Sequence, residues 1–331
     1  MAFKSWQRVK MTTDEGQTVD AVAPEIISAS RSTDIPAFYA DWFINRLKKG
    51  YVRWINPFNG KSQYVAFCNT RLIVFWTKNP VPVIKYLDEL KAEGINSYFH
   101  FTLNDYEKEG FEKNVPSLEK RISAFKGLSL KVGKENIIWR FDPIIICNQI
   151  KPQQILDRIQ FIGNQIHSYT NRLTISFISM YEKVKRNFKK AGIDGVKINI
   201  EAVREIGSGL KQFNKNWNLQ IVSCAEKMDL QEYDIYLGAC IDPDLILKNF
   251  GDDLVLQQFL GDYGSNDLFG YKSLSYNLKD PGQRPLCRCI VSKDIGRYNT
   301  CPHLCLYCYA NSTEQQVLNN LKNYKFKNDS L

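Results

Sequence analysis

The stretch CPHLCLYCYAN (residues 301–311) decides how the rest of the chain is read. Cys301, Cys305 and Cys308 have three and then two residues between them, with Tyr307 before the last. Each can give one thiolate to a metal centre, and the spacing lets one short loop wrap a cube of iron and sulfide. A [4Fe–4S] cluster has four irons, so three thiolates leave one iron open. A structural zinc site instead closes a tetrahedron of four protein ligands. The triplet therefore favours a cluster with an open iron.

Working outward, seven of the nine cysteines follow residue 220, and five fall between Cys287 and Cys308. Clustering of this kind points to metal rather than a disulfide framework. Cys224, Cys240, Cys287 and Cys289 come from separate segments and can complete a second, fully ligated [4Fe–4S] cluster or a zinc site. The plain alternative is buried free thiols. Cys68 and Cys147 lie on apolar runs and read as core.

Short apolar runs at 26–30, 72–77, 98–103, 137–141, 173–178 and 219–224 read as strands buried on both faces. Amphipathic stretches at 36–49, 81–92, 116–130, 152–165 and 196–214 read as helices, several opening on a proline. Strands alternating with helices imply a parallel sheet with right-handed crossovers. The expected fold is α/β, a partial or closed (β/α) barrel of the TIM type. A doubly wound open sheet is the runner-up. One unit over 1–331 is expected, with 225–300 an insertion carrying the extra cysteines and 301–331 the cysteine loop and a helix. Within that insertion the stretch 242–283 reads as an excursion with one helix near 252–260. The tail helix, 312–324, opens on a capping-box pattern at Ser312 and Gln315.

Polar residues gather directly after the strands, at 28–34, 77–79, 102–105, 140–143, 176–179 and 223–226. In a parallel barrel those ends share one rim, where active sites lie. Arg31, Asp34, Arg140, Asp142 and Glu226 are candidates there for substrate or cofactor contact, because charges in a rim need partners. The competing reading is that loops are polar anyway.

Apolar residues make up 44% of the chain and charged residues 24%, enough for a sizeable core. No apolar run of membrane-spanning length occurs, and the first residues lack the apolar centre of a secretion signal. A cytoplasmic protein with no membrane partner is expected. The net charge of +9 permits an anionic partner such as nucleic acid or a nucleotide. The basic group Lys183, Lys185, Arg186, Lys189 and Lys190 reads first as a solvated helix face. Only three histidines exist, and neither a P-loop nor a G-x-G-x-x-G after a strand appears. That scarcity suits chemistry delegated to a cofactor. His303, inside the cysteine loop, is expected to position it at most.

The C-x-x-x-C-x-x-C pattern with Tyr307 resembles the signature of radical S-adenosylmethionine enzymes. The resemblance implies that the open iron binds S-adenosylmethionine, whose reductive cleavage yields a radical that abstracts hydrogen from substrate. In that superfamily the loop follows the first barrel strand. Its place here implies a circular permutation, with the tail helix as barrel helix one and 26–30 as strand two. The first strand would come from 288–294. In permuted order the strand ends resemble the spore photoproduct lyase branch, through Thr33-Asp34, Thr77-Lys78, and Phe99 to Asn104, with Tyr309 after Cys308.

That resemblance implies S-adenosylmethionine contacts from Thr33, Asp34, Lys78, Thr102, Asn104 and Arg140. Lys78 would pair with its carboxylate, Thr33 and Thr102 would offer hydroxyls, and Asn104 would hold the ribose or adenosyl part. An electron donor such as flavodoxin or ferredoxin is implied too. Two departures stand out. The lyase's hydrogen-donating cysteine on strand two is replaced here by Arg31, which argues against photoproduct repair. The permuted order with extra cysteines resembles an uncharacterised bacterial family catalogued only as a domain of unknown function. The rival from another class is a zinc-stabilised nucleic-acid-binding protein without catalysis.

Overall fold

The computed structural model describes residues 5–196, 198–261 and 278–331. Two strands, β1 (Gln7–Thr12) and β2 (Thr18–Ala23), open the chain as an antiparallel pair. Next come β3 (Ile26–Ala29), α1 (Ile35–Phe38), α2 (Ala40–Lys48), β4 (Tyr51–Ile55) and β5 (Ser62–Ala66). The alternation then runs β6 (Leu72–Thr77), α3 (Val81–Ile84), α4 (Leu87–Ala92), β7 (Asn96–Thr102), α5 (Leu118–Val132), β8 (Ile137–Ile144), α6 (Pro152–Ile166) and β9 (Arg172–Phe177). It continues through α7 (Glu182–Lys190), α8 (Ile200–Trp217), β10 (Gln220–Cys224) and β11 (Tyr236–Gly238). Last are α9 (Pro243–Phe250), α10 (Leu254–Leu260), β12 (Lys293–Asp294) and α11 (Glu314–Asn323).

Eight strands form one sheet in the order β11-β10-β9-β8-β7-β6-β3-β12, every neighbouring pair parallel. The fold is therefore α/β with a large parallel sheet, as the alternation predicts. The six expected strands are all present. A second sheet, β1-β2-β5-β4, was not foreseen. Its outer strand β1 alternates exposed and half-buried residues, so no apolar run marks it.

Among the described residues no closed barrel is formed. The edge strands β11 and β12 have three and two residues, too short to build a ladder across the gap. The loops beside them meet instead, where the Ile290 N–H donates to the Ile241 carbonyl at 3.1 Å.

Side chains alternate across the parallel strands. One set, including Ile27, Ile73, Phe75, Phe99, Phe101, Trp139 and Phe141, joins the main core with apolar residues of α1 to α8. The opposite set, including Ile26, Leu72, Val74, Tyr98 and Ile138, packs on a second cluster. That cluster comes from Cys240, Ile241, α9, α10 and residues 287–290. This inner face carries Tyr98, His100, Arg140, Arg172 and Thr174, all buried, so the expectation of apolar burial on both faces holds only in part.

Local chemistry sets the helix ends. Asp34 caps α1 through the Ala37 N–H, and Pro36 sits in its first turn. Tyr39 leaves helical geometry, so the expected helix 36–49 is two helices. Likewise 81–92 divides into α3 and α4. Asn199 caps α8, and Asn218 ends it in the left-handed region at φ 54°. The tail helix is capped by Thr313, one residue later than the capping-box pattern suggests. The basic group falls on α7, which buries Val184 and Phe188. Part of the expected excursion, 262–277, lies outside the described residues. Among the described residues no helix is long and apolar enough to cross a membrane.

Candidate functional site

The tail cysteine loop lies between β12 and α11 and is held from several sides. Its Leu306 N–H donates to the Phe111 carbonyl at 2.8 Å, and Cys305 forms an antiparallel bridge with Glu112. Asn114 reaches the carbonyls of His303 and Pro302, Asn187 reaches that of Leu306, and Asn311 that of Cys301. The loop backbone is thus fixed by its surroundings, and its three thiols, Cys301, Cys305 and Cys308, interact electrostatically with one another. Burial, then the Asp34 carboxylate and Cys308, push the Cys301 thiol up to about 12, against hydrogen bonds from the backbone of Asp34 and His303. Burial also raises Cys308, opposed first by the Asn311 and Ala310 backbone. Burial raises Cys305 further, with Lys78 pulling the other way. Inward-pointing backbone N–H groups of this kind stabilise a thiolate over a thiol.

Asp34 organises the loop's other flank. One carboxylate oxygen accepts the Lys78 N–H at 2.7 Å and lies 2.8 Å from His303 Nε2. The other caps α1. The Thr33 and Thr300 hydroxyls lie 2.6 Å apart, and both reach the Arg297 carbonyl at 2.6 Å. Thr33, Asp34 and His303 therefore meet at the loop, with polar atoms already engaged.

Lys78, at the end of β6, donates to Glu112 at 2.7 Å and to Asn104 at 3.1 Å. Glu112 is fully buried and also takes Tyr307's hydroxyl, with Arg121 at 3.6 Å. Asn104 in turn donates to the Tyr307 hydroxyl at 3.3 Å. Burial drives the Glu112 carboxyl upward, but the charges of Lys78 and Arg121, with hydrogen bonds from Lys78 and Tyr307, outweigh it and leave it below the ordinary range. Sequence reasoning missed Glu112. It stands in a loop between β7 and α5, where neither periodicity nor motif marks it. Thr102 ends β7, half-buried, and is paired in register with Arg140.

Four more cysteines meet on the inner face. The sulfurs of Cys224 and Cys240 lie 3.6 Å apart. The N–H groups of Cys240 and Ile241 donate to Cys289 Sγ at 3.2 and 3.4 Å, and Cys289 N–H to Cys287 Sγ at 3.5 Å. The thiols also contact in the sequence Cys240, Cys289, Cys287. They thus form a row. Among the described residues no three His, Cys, Asp or Glu side chains are disposed to hold a single metal ion. Cys147 is buried as expected, whereas Cys68 is exposed, contrary to its core reading.

Arg140 belongs to this second group rather than to the tail loop. It donates to Cys240 Sγ at 2.9 Å and pairs with Asp142, which also accepts from Ser176. Burial opposes the Arg140 charge, but Cys240 and Asp142 hold it firmly protonated. Arg31 and Arg140 each place a guanidinium 5.2 Å from the Trp76 ring centre, and Trp76 stacks on His100 at 4.3 Å. Arg284 reaches the carbonyl of Cys224 at 3.3 Å, and Glu226 accepts the Phe177 N–H at 2.8 Å. Tyr309 links the two groups, since its hydroxyl donates to the Arg31 carbonyl at 2.8 Å.

Fold and site together define an α/β protein whose parallel sheet carries two cysteine groups, one in a tail loop and one on its inner face. The chain belongs to the family described as Domain of unknown function (DUF1848), whose model matches residues 26–310. No curated protein matches it. Among solved structures it is similar to a putative alpha-L-fucosidase from Bacteroides thetaiotaomicron, with 12% identity over 58% of this chain and 74% of that one. The TM-score is 0.26, too low to bear on fold or activity.

Proposed function

We propose that this chain is a radical S-adenosylmethionine enzyme built on a circularly permuted, partial β/α barrel. The carrying observation is the meeting of the tail cysteine loop with the ends of β6 and β7, where Lys78 and Asn104 lie against Tyr307. The sheet order supports the permutation. Read from β12, the strands run β12, β3, β6, β7, β8, β9, β10, β11, and the cysteine loop follows β12 as it follows strand one in that superfamily.

Cys301, Cys305 and Cys308 would hold a [4Fe–4S] cluster: the chemistry of the donor set fits, three thiols on one braced loop with backbone N–H groups turned toward Cys301 and Cys308, and the side chains must turn from their present placement to share one centre. When bound, the cluster and S-adenosylmethionine supply reductive cleavage and hydrogen abstraction. The chain's own residues orient and shield. An ammonium has three N–H donors, of which Glu112 and Asn104 take two at Lys78, leaving one for a ligand carboxylate. Asp34 and Glu112 act by holding Lys78 and the loop in register. Arg140 and Asp142 on β8 and Glu226 just beyond β10 would offer a substrate polar contacts, and the net charge favours nucleic acid or a nucleotide. An acidic donor of flavodoxin or ferredoxin type would deliver the electron.

Anaerobically purified protein should be brown, contain iron and sulfide, and release 5′-deoxyadenosine when given dithionite and S-adenosylmethionine. Cys305→Ala should lose that product while keeping its circular dichroism. Colourless protein with stoichiometric zinc and no deoxyadenosine overturns the reading in favour of the non-catalytic nucleic-acid-binding rival.

A further inference from the structure

We propose that Cys224, Cys240, Cys287 and Cys289 hold a second metal centre, fully ligated by thiolates, that staples the open seam between β11 and β12. The placement of the four carries the inference. Cys224 ends β10, Cys240 follows β11 by two residues, and the Cys287-x-Cys289 pair precedes β12. They therefore border both sides of the gap where the sheet lacks a ladder. One backbone hydrogen bond, from Ile290 to Ile241, spans the same place.

The site is built by residues from the strands facing it. The Cys240 carbonyl accepts from Tyr98 Oη at 2.6 Å and lies 2.8 Å from His100 Nε2. Two residues on, Asp242 takes Arg172 at 2.6 Å. The backbone carrying Cys240 is thus fixed by inward side chains of β7 and β9. Hydrogen bonds from Cys240 and Ile241 already converge on the Cys289 sulfur. Ligation requires the row of thiols to close into a ring around the metal.

Charge points the same way. Arg140 lies on Cys240 Sγ and Arg284 lies 3.8 Å from Cys224 Sγ, while the Arg31 guanidinium donates to Ser292 and lies on Trp76. Asp142 answers part of this charge through Arg140, and the remaining cations in the interior need a countercharge. Four thiolates on a dipositive centre leave a net negative charge to meet them. With every thiolate committed, this centre has no open position for S-adenosylmethionine, so its role is to tie the seam and, if it is an iron cluster, to pass electrons. Zinc and a [4Fe–4S] cluster share this ligand chemistry, and the metal itself tells them apart.

The inference stands whether or not the tail loop is catalytic, and its test removes that loop's thiols. The variant C301A/C305A/C308A, purified anaerobically, should retain about four irons with sulfide, or about one zinc, per chain. Adding Cys289→Ser should bring that metal to background. A triple variant without metal, or a quadruple variant that keeps it, overturns the proposal. Should the triple variant fail to fold, hydrogen exchange on the intact chain decides. Stripping metal should speed exchange in residues 236–241 and 289–294 together. Unchanged protection across both segments overturns the staple.

Discussion

The two cysteine groups differ in how they are assembled. The tail loop draws three thiols from eight consecutive residues and is braced from outside by Glu112, Asn114 and Asn187. The inner group draws four thiols from three distant segments and is braced by Tyr98, His100 and Arg140. A local loop can take its shape once its neighbours are in place. The inner group exists only when β10, β11 and the approach to β12 have all arrived. The first arrangement suits a centre that must keep a position open, and the second one that locks elements together.

The largest expected contrast is functional. Cys305→Ala should take deoxyadenosine release to background yet leave the inner metal in place, whereas Cys240→Ser should remove the inner metal first. Metal counting beside product assay separates the two, and equal loss of both metals in either variant breaks the comparison. Next is Glu112→Gln, which leaves Lys78 and Arg121 facing a neutral amide. Loss of one partner in a buried ion pair costs about 3–5 kcal/mol. Urea unfolding should show most of that, while Lys113→Ala, breaking the exposed pair with Glu314, should change stability by less than about 1 kcal/mol.

Arg140→Gln should weaken the inner metal by about 10- to 100-fold, as loss of an outer partner to a ligand does. Competition with a chelator measures it, and the tail loop's metal should be untouched. The smallest effect concerns Lys293 on β12. Burial lowers its ammonium to about 8, so between pH 8 and the ordinary lysine range the unfolded chain binds more protons than the folded one. Stability from this group should therefore rise with pH across that window, by about 1–2 kcal/mol between pH 7.5 and 9.5. Melting curves of wild type and Lys293→Met, compared at both pH values, should show the rise in wild type alone.

The strands of the parallel sheet were legible because their runs are continuous and apolar, as at Leu72–Thr77. The N-terminal sheet was not, because β1 carries only Val9 and Met11 among exposed polar residues and so lacks a continuous apolar run. The strand expected within 288–294 is present only as the two residues of β12, Lys293 and Asp294, so the open seam beside it was not foreseen. Of the candidate site, Asp34 was singled out by its place at a strand end and Lys78 and Asn104 by the family resemblance, and all three lie beside the tail loop. Glu112 was not, because its importance comes from tertiary contact with Lys78, Arg121 and Tyr307 rather than from its neighbours in sequence. The allegiance of Arg140 was equally invisible, because it depends on a loop one hundred positions later.

The pairing of β3 with β12 joins residues 266 positions apart. At about 5–20 residues per second of synthesis, the nascent chain waits roughly ten seconds to a minute with one flank of Ile26–Ala29 unpartnered. An unpaired strand edge invites foreign pairing. Ribosome-bound intermediates of this protein should therefore lean on chaperones until Lys293 emerges, and any metal proposed for the thiols that follow would be loaded only after that wait ends.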